Sequence, residues 1–272
     1  MLDPVVGASK LALDKEHLIV SGTLDCPRLF VMHRDGTGRH VVFDANSLSN
    51  VCDVWADDRD IFVSCDRGLG RVDKSGTFRQ LAPYTHAHIC CDEEFLYGTQ
   101  GVGRDENEIG AFRIPRTGGE LEWLVRGPTS ALTVHDGRLY YYQHQLIRVR
   151  EPDGATRALA QAEWPGSIVV LGPDEIAWTQ NGLVASAKDR LPRTLATPRI
   201  ATGMIRRGDT LYWGAWEPNK QGLWYMRIDD PTPALVAKFP HKSLSIVADD
   251  THLFWTGHVN GGVYALPRSS RG

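Results

Sequence analysis

Several side chains in this sequence stand where they could bind a ligand or move a proton. Thr23, Asp66, Gln100, His144, Asn181, Trp216 and His258 each lie three residues beyond a bulky residue that closes a short apolar run. They offer hydrogen-bonding and aromatic groups of different kinds, the mixture expected of a ligand ring at a channel mouth. Loops are polar in any case, because they are wet. A second set, Lys10, Asp53, His88, Ser167 and Ser245, precedes apolar runs. A cation, a carboxylate and an imidazole in one ring could do acid–base work. His88 or His144 would be the base, and Lys10 or Asp53 would set its pKa. The same groups could equally form an ion-paired plug.

The segment His86-Ala-His88-Ile-Cys90 has metal-ligand character, because alternate residues of a strand share one face. His86 falls in a loop, however, and Cys90 stands where other repeats place Val or Ala, so a small buried hydrophobe is the expected role of the thiol. No metal and no cofactor are expected. The acidic stretch Asp105-Glu-Asn-Glu108 lacks the alternating carboxylates of a calcium loop and reads as a solvated loop. Arg71 to Phe78 looks like a single degraded Asp-box turn. There is no Gly-x-Ser-x-Gly elbow, Walker loop or dinucleotide fingerprint.

The elements that would carry these residues repeat. Ile246 to Thr256, Met204 to Gly214 and Val54 to Ser64 each read as an apolar strand, an Asp or Gly turn and a strand closing on a bulky residue. The closing residues Val20, Val63, Tyr97, Tyr141, Trp178, Trp213 and Trp255 are separated by 43, 34, 44, 37, 35 and 42 positions. That is the blade period of a propeller. A third column follows each pair of strands, and turns such as Asp35-Gly36, Ser75-Gly76 and Asp153-Gly154 lead from it to a fourth. The fourth column has six members, from His40-Val-Val-Phe43 to Ala234-Leu-Val-Ala237. Pro4-Val5-Val6 can supply the seventh by pairing with the last blade. The expectation is one all-β domain over residues 1–272, a seven-bladed propeller of four-stranded antiparallel blades, its ring closed by the N-terminal strand.

The chain is near neutral, with a formal charge of −3, and has no basic run. It lacks the electrostatic footprint of a nucleic-acid or membrane-surface binder. No segment approaches the roughly 18 apolar residues of a membrane span, and the first residues do not read as a signal peptide. Five cysteines, an odd number, fit a reduced cytoplasm. A monomer or weak homo-oligomer is expected.

Leu253-Phe-Trp-Thr256, Leu211-Tyr-Trp213 and Val31-Met-His-Arg-Asp-Gly-Thr-Gly-Arg39 resemble the Tyr-Trp-Thr-Asp propeller repeats of lipoprotein-receptor type and related bacterial propellers. The sequence departs from that family in having seven repeats rather than six, and Gly257 or Gln180 where its Asp should follow Thr. The resemblance implies the fold and carries no function. The function expected is capture of a small molecule or peptide at Asp66, His86, His88, Gln100, His144, Asn181, Trp216 and His258. One alternative is a bacterial biosynthetic lyase or cyclase, which resembles streptogramin lyases and strictosidine-synthase-like enzymes in architecture alone. The other is a protein-interaction scaffold.

Overall fold

A computed structural model describes residues 8–22, 28–44, 51–73, 75–83, 88–100, 108–180, 183–188, 191–197, 200–216, 221–230, 232–238, 243–257 and 262–267. The chain is all-β and forms a seven-bladed β-propeller. Blade 1 is β1 (Lys10–Leu13), β2 (His17–Ser21), β3 (Arg28–His33) and β4 (His40–Asp44). Blade 2 is β5 (Val51–Ala56), β6 (Ile61–Cys65), β7 (Gly68–Val72) and β8 (Phe78–Ala82). Blade 3 is β9 (Ile89–Cys91), β10 (Phe95–Gln100), β11 (Gly110–Pro115) and β12 (Glu122–Arg126). Blade 4 is β13 (Ser130–His135), β14 (Arg138–Gln143), β15 (Leu146–Arg150) and β16 (Thr156–Gln161). Blade 5 is β17 (Ser167–Gly172), β18 (Glu175–Gln180), β19 (Leu183–Lys188) and β20 (Leu191–Ala196). Blade 6 is β21 (Ile200–Arg207), β22 (Thr210–Trp216), β23 (Gly222–Arg227) and β24 (Ala234–Lys238). Blade 7 shows β25 (Ser243–Ala248), β26 (His252–Gly257) and β27 (Gly262–Pro267). The expected closing strand, Pro4 to Val6, lies outside the described residues.

The blades fall into two compact units, one holding blades 1, 2 and 7 and the other blades 3 to 6. In the first unit Ile19, Leu29, Val54, Val63 and Val72 pack between blades 1 and 2. Leu11, Leu18, Met32, Phe254 and Val263 pack between blades 1 and 7. In the second unit Tyr140, Ile147, Ile168, Ile176 and Trp178 fill the space between blades 4 and 5. Met204, Leu211, Trp213 and Met226 serve blades 5 and 6 together with Ala177 and Leu195. All seven closing residues read from the sequence are buried on second strands.

Two local devices recur. At the first hairpin of blades 1, 2, 3 and 7, an Asp carboxylate accepts two backbone N–H groups: Asp14 from Glu16 and His17, Asp57 from Arg59 and Asp60, Asp92 from Glu94 and Phe95, Asp249 from Thr251 and His252. These side-chain bonds fold the turn without Gly. The second device is a bulge between the third and fourth strands of every four-stranded blade. The extra residues are Val42, Leu81, Leu124, Leu159, Leu195 and Val236, all branched and apolar. Val42, Leu159 and Leu195 are buried.

Asp249 yields a test of acid stability. Burial would raise its pKa, but bonds from Thr251 and His252 and the charge of Arg34, at 2.9 Å, outweigh burial and hold it below the usual value. A lowered folded-state pKa contributes stability above the unfolded pKa and loses it as pH falls through the folded one. The stability gap between the wild-type protein and Asp249→Asn should therefore narrow as pH falls below about 4. A gap that stays constant from neutral to acid pH would show that the carboxylate charge does no stabilising.

Candidate functional site at the upper end of the blades

First strands begin beside the ends of second strands, as in Lys10 opposite Ser21, Ser167 opposite Thr179 and Ile200 opposite Trp216. Within each such blade, the loop feeding the first strand and the loop leaving the second therefore share one end, here termed the upper end. The described members of both sets singled out in the sequence belong to it. Thr23, His86, Asn181 and His258 lie outside the described residues.

In the first unit, Lys10 Nζ stands 3.7 Å from Asp53 Oδ1, both partly buried. Asp53 also accepts the Val54 N–H. The ion-paired reading of these two is what the geometry presents. Ser245 Oγ accepts the Leu11 N–H at 3.1 Å, joining blade 7 to blade 1. Its own N–H donates to Thr256 Oγ1 at 3.1 Å, as the Lys10 N–H donates to Ser21 Oγ. Ser167 does for blades 5 and 6 what Ser245 does for blades 7 and 1: its Oγ accepts the Met204 N–H at 3.3 Å. These serines hold backbone that the strand ladder leaves unpaired, so they join blades. Asp66 sits half-buried in the turn after β6.

In the second unit, His88 is exposed ahead of β9, and its N–H donates to Thr99 Oγ1. Cys90 packs with Tyr97, Leu139 and Tyr141, as a small hydrophobe would. Among the described residues no three His, Cys, Asp or Glu side chains gather to hold a metal. Gln100 is buried at the end of β10, and Trp216 is half-buried at the end of β22.

The upper end of blade 4 is different in kind. His144 and Gln145 form a two-residue hairpin turn between Gln143 and Leu146, with φ of 51° and 62°. Such a turn favours Asn-Gly, because both central residues take positive φ. Two more non-glycine residues, Ala131 (φ 48°) and Trp164 (φ 48°), share the left-handed conformation. Ala131 sits in a bulge at the start of β13, and Trp164 lies in the loop from β16 to β17. The residue before a proline normally keeps to extended backbone, which makes Trp164, followed by Pro165, doubly unusual. Each such residue carries about 1–2 kcal/mol of strain. Asp136, in a turn at the other end of blade 4, is the remaining described non-glycine residue with positive φ.

These residues are tied together. Ala162 N–H donates to Gln145 O at 3.0 Å. Glu163 N–H and Trp178 Nε1 both donate to Gln180 Oε1, at 3.1 and 3.0 Å. That fixes the Gln180 amide and points its NH2 group elsewhere. The Trp164 ring lies 6.0 Å from that of buried Tyr142, yet Trp164 is 76% exposed. His144 and Glu163 are exposed beside it in sequence and turn. Sequence reading found His144 and missed Trp164, whose only signal is Trp-Pro-Gly outside the repeated columns. No carboxylate partner of His144 lies among the described residues.

At the opposite end of blades 1 and 2 lies a cleft of about 390 Å³, lined by Asp14, His17, Asp58, Asp60, Arg71 and neighbours over an apolar floor. Its groups serve the fold. Asp14 holds His17 at 3.2 Å, Asp60 holds Arg71 at 2.8 Å, and Asp58 accepts the Lys15 N–H from blade 1.

No protein-family model matches the chain, and no curated protein matches it. Solved structures do. A catalytically inactive histidine-to-alanine variant of virginiamycin B lyase from Staphylococcus aureus, with quinupristin, is 14% identical, with a TM-score of 0.76, covering 98% of this chain and 97% of that one. The WD40 propeller domain of Doa1 is 8% identical, with a TM-score of 0.72, covering 98% and 94%. The extracellular domain of a one-component system of B. thetaiotaomicron is 11% identical with a TM-score of 0.70. This chain, 95% covered, spans 40% of that one. At such identities the shared property is the fold: this chain is a seven-bladed propeller similar to proteins of several different functions.

Proposed function

We propose that the protein is a ligand-binding propeller, capturing a small molecule or peptide at the upper end of blades 4 and 5. The observation that carries this reading is the gathering of strained, non-glycine backbone at Ala131, His144, Gln145 and Trp164 around an exposed indole. Strain that stable turn residues would relieve points to a role for the side chains it displays. Trp is also a strong anchor, since it covers a large area and has few rotamers to lose. Binding is preferred to catalysis because the group this end displays most openly is an indole, which anchors ligands, and no carboxylate among the described residues stands against His144.

The test separates stability from function. Replacing His144 by Asn and Gln145 by Gly suits the turn and should stabilise the protein by about 1–2 kcal/mol. Trp164→Ala should leave stability within about 0.5 kcal/mol, as exposed substitutions do. Both variants should lose the thermal stabilisation that binders from a metabolite and peptide panel confer on the wild-type protein. If both variants keep every such response, the site lies elsewhere.

A further inference from the structure

The surroundings of Trp164 restrict what it can hold, and we propose that its ligand is a carbohydrate, a pyranose stacked on the indole face. This assignment rests on the ligand-binding reading of the same site. The large hydrophobic side chains exposed among the described residues are Val41, Trp164 and Leu235. Val41 and Leu235 lie on fourth strands, away from the upper-end loops. Among the described residues Trp164 is thus an isolated apolar surface the size of one ring system. A peptide anchored by apolar side chains needs a pocket or a contiguous apolar patch around the anchor.

The groups bonded to the loop that carries the indole are polar. Gln180 has its carbonyl committed twice, to Glu163 N–H and to Trp178 Nε1, so its orientation is set by the network and its NH2 group is a placed donor. Glu163, next in sequence to Trp164, supplies an exposed carboxylate acceptor, and the exposed His144 and Gln145, whose turn is tied to the Trp164 loop through the bond from Ala162 N–H to the Gln145 carbonyl, supply an imidazole and an amide. A pyranose matches this set. One face carries C–H groups that suit a π surface, and its rim carries hydroxyls that both donate and accept. An organic ammonium ion would also find Trp164 and Glu163. Capture of such ions uses a cage of several aromatic faces, whereas Tyr142, the aromatic neighbour here, is buried and leaves a single exposed wall.

The experiment is saturation-transfer NMR and tryptophan-fluorescence titration of the full chain. The probes are methyl glycosides of glucose, galactose, mannose and N-acetylglucosamine, with choline and a proline-rich peptide as controls, all at millimolar concentration. At least one glycoside should bind saturably through its ring C–H protons. Trp164→Ala should weaken that binding by at least about tenfold, Trp164→Phe by less, and Glu163→Gln should weaken it without altering stability. Choline or the peptide binding through Trp164 while no glycoside does would overturn the carbohydrate assignment and leave the binding site standing. No Trp164-dependent binding by any probe, with the His144→Asn, Gln145→Gly variant altering stability alone, would overturn both.

Discussion

Replacing Trp178 by alanine should lower the unfolding free energy by about 3–5 kcal/mol, the range for removing a fully buried indole. Trp178 is 2% exposed and packs with Tyr140, Ile147, Ile168, Ile176 and Ala185 between blades 4 and 5. Urea unfolding should show a lower midpoint with an unchanged slope, because the folded and unfolded states keep their extents. Trp178→Phe is the more informative companion. It keeps most of the ring volume but deletes the N–H that holds Gln180. Stability should fall by only about 1 kcal/mol for the lost bond, plus whatever the smaller ring leaves unfilled. Ligand affinity at the Trp164 site should fall too, since Gln180 also holds the Glu163 backbone. Equal affinity in the wild-type and Trp178→Phe proteins would show that the fixed amide has no part in binding.

Gly76→Ala should be almost as damaging, by about 2–4 kcal/mol, although it adds one methyl group at a surface turn. Gly76 has a φ of 86°, and a Cβ there would stand 2.0 Å from the Val42 carbonyl oxygen. That oxygen belongs to backbone of β4 and cannot swing aside as a side chain would. Blade 2's outer turn would have to retreat from blade 1 and loosen the packing of Phe78 on Phe43, whose rings are 5.3 Å apart. Gly208→Ala is the control. Its φ of 57° is also left-handed, but nothing lies within 4 Å of the added methyl. It should cost about 1 kcal/mol, the conformational part alone. Similar losses for the two variants, measured by thermal or urea unfolding, would show that the close approach at Gly76 relaxes without consequence.

Much of the fold was legible because each blade must bury the same faces. Val20, Val63, Tyr97, Tyr141, Trp178, Trp213 and Trp255 announced the second strands, and every one is buried there. The fourth column was readable from motifs such as Arg79-Gln-Leu-Ala82, where the bulge now explains the recurring Val or Leu. The site was far less legible. Ser167 and Ser245 look like channel-facing polar groups in a sequence, but their hydroxyls accept backbone N–H groups of the neighbouring blade. A hydroxyl's chemistry is identical in both roles, and spacing alone does not separate them. Lys10 and Asp53 read as either an ion pair or acid–base groups, and the structure brings them to 3.7 Å of each other. Trp164 escaped because it belongs to no repeated column, and its importance lies in a backbone angle and an exposure that no spacing encodes.

The bulged outer strands also bear on how this protein behaves when concentrated. Among the described residues no strand pairs with the far side of a fourth strand, so each four-stranded blade leaves a row of N–H and C=O groups at its outer edge. A regular row of that kind is a template on which a strand from another molecule can add. In all six four-stranded blades the row is broken by one extra residue, a Val or Leu, which shifts the spacing of donors and acceptors. No straight strand can match such an edge along its length. The outer edges of these blades are thereby poorly suited to sheet extension. Sequence variation is then left to the loops, which can change without offering a neighbouring molecule a sheet to join.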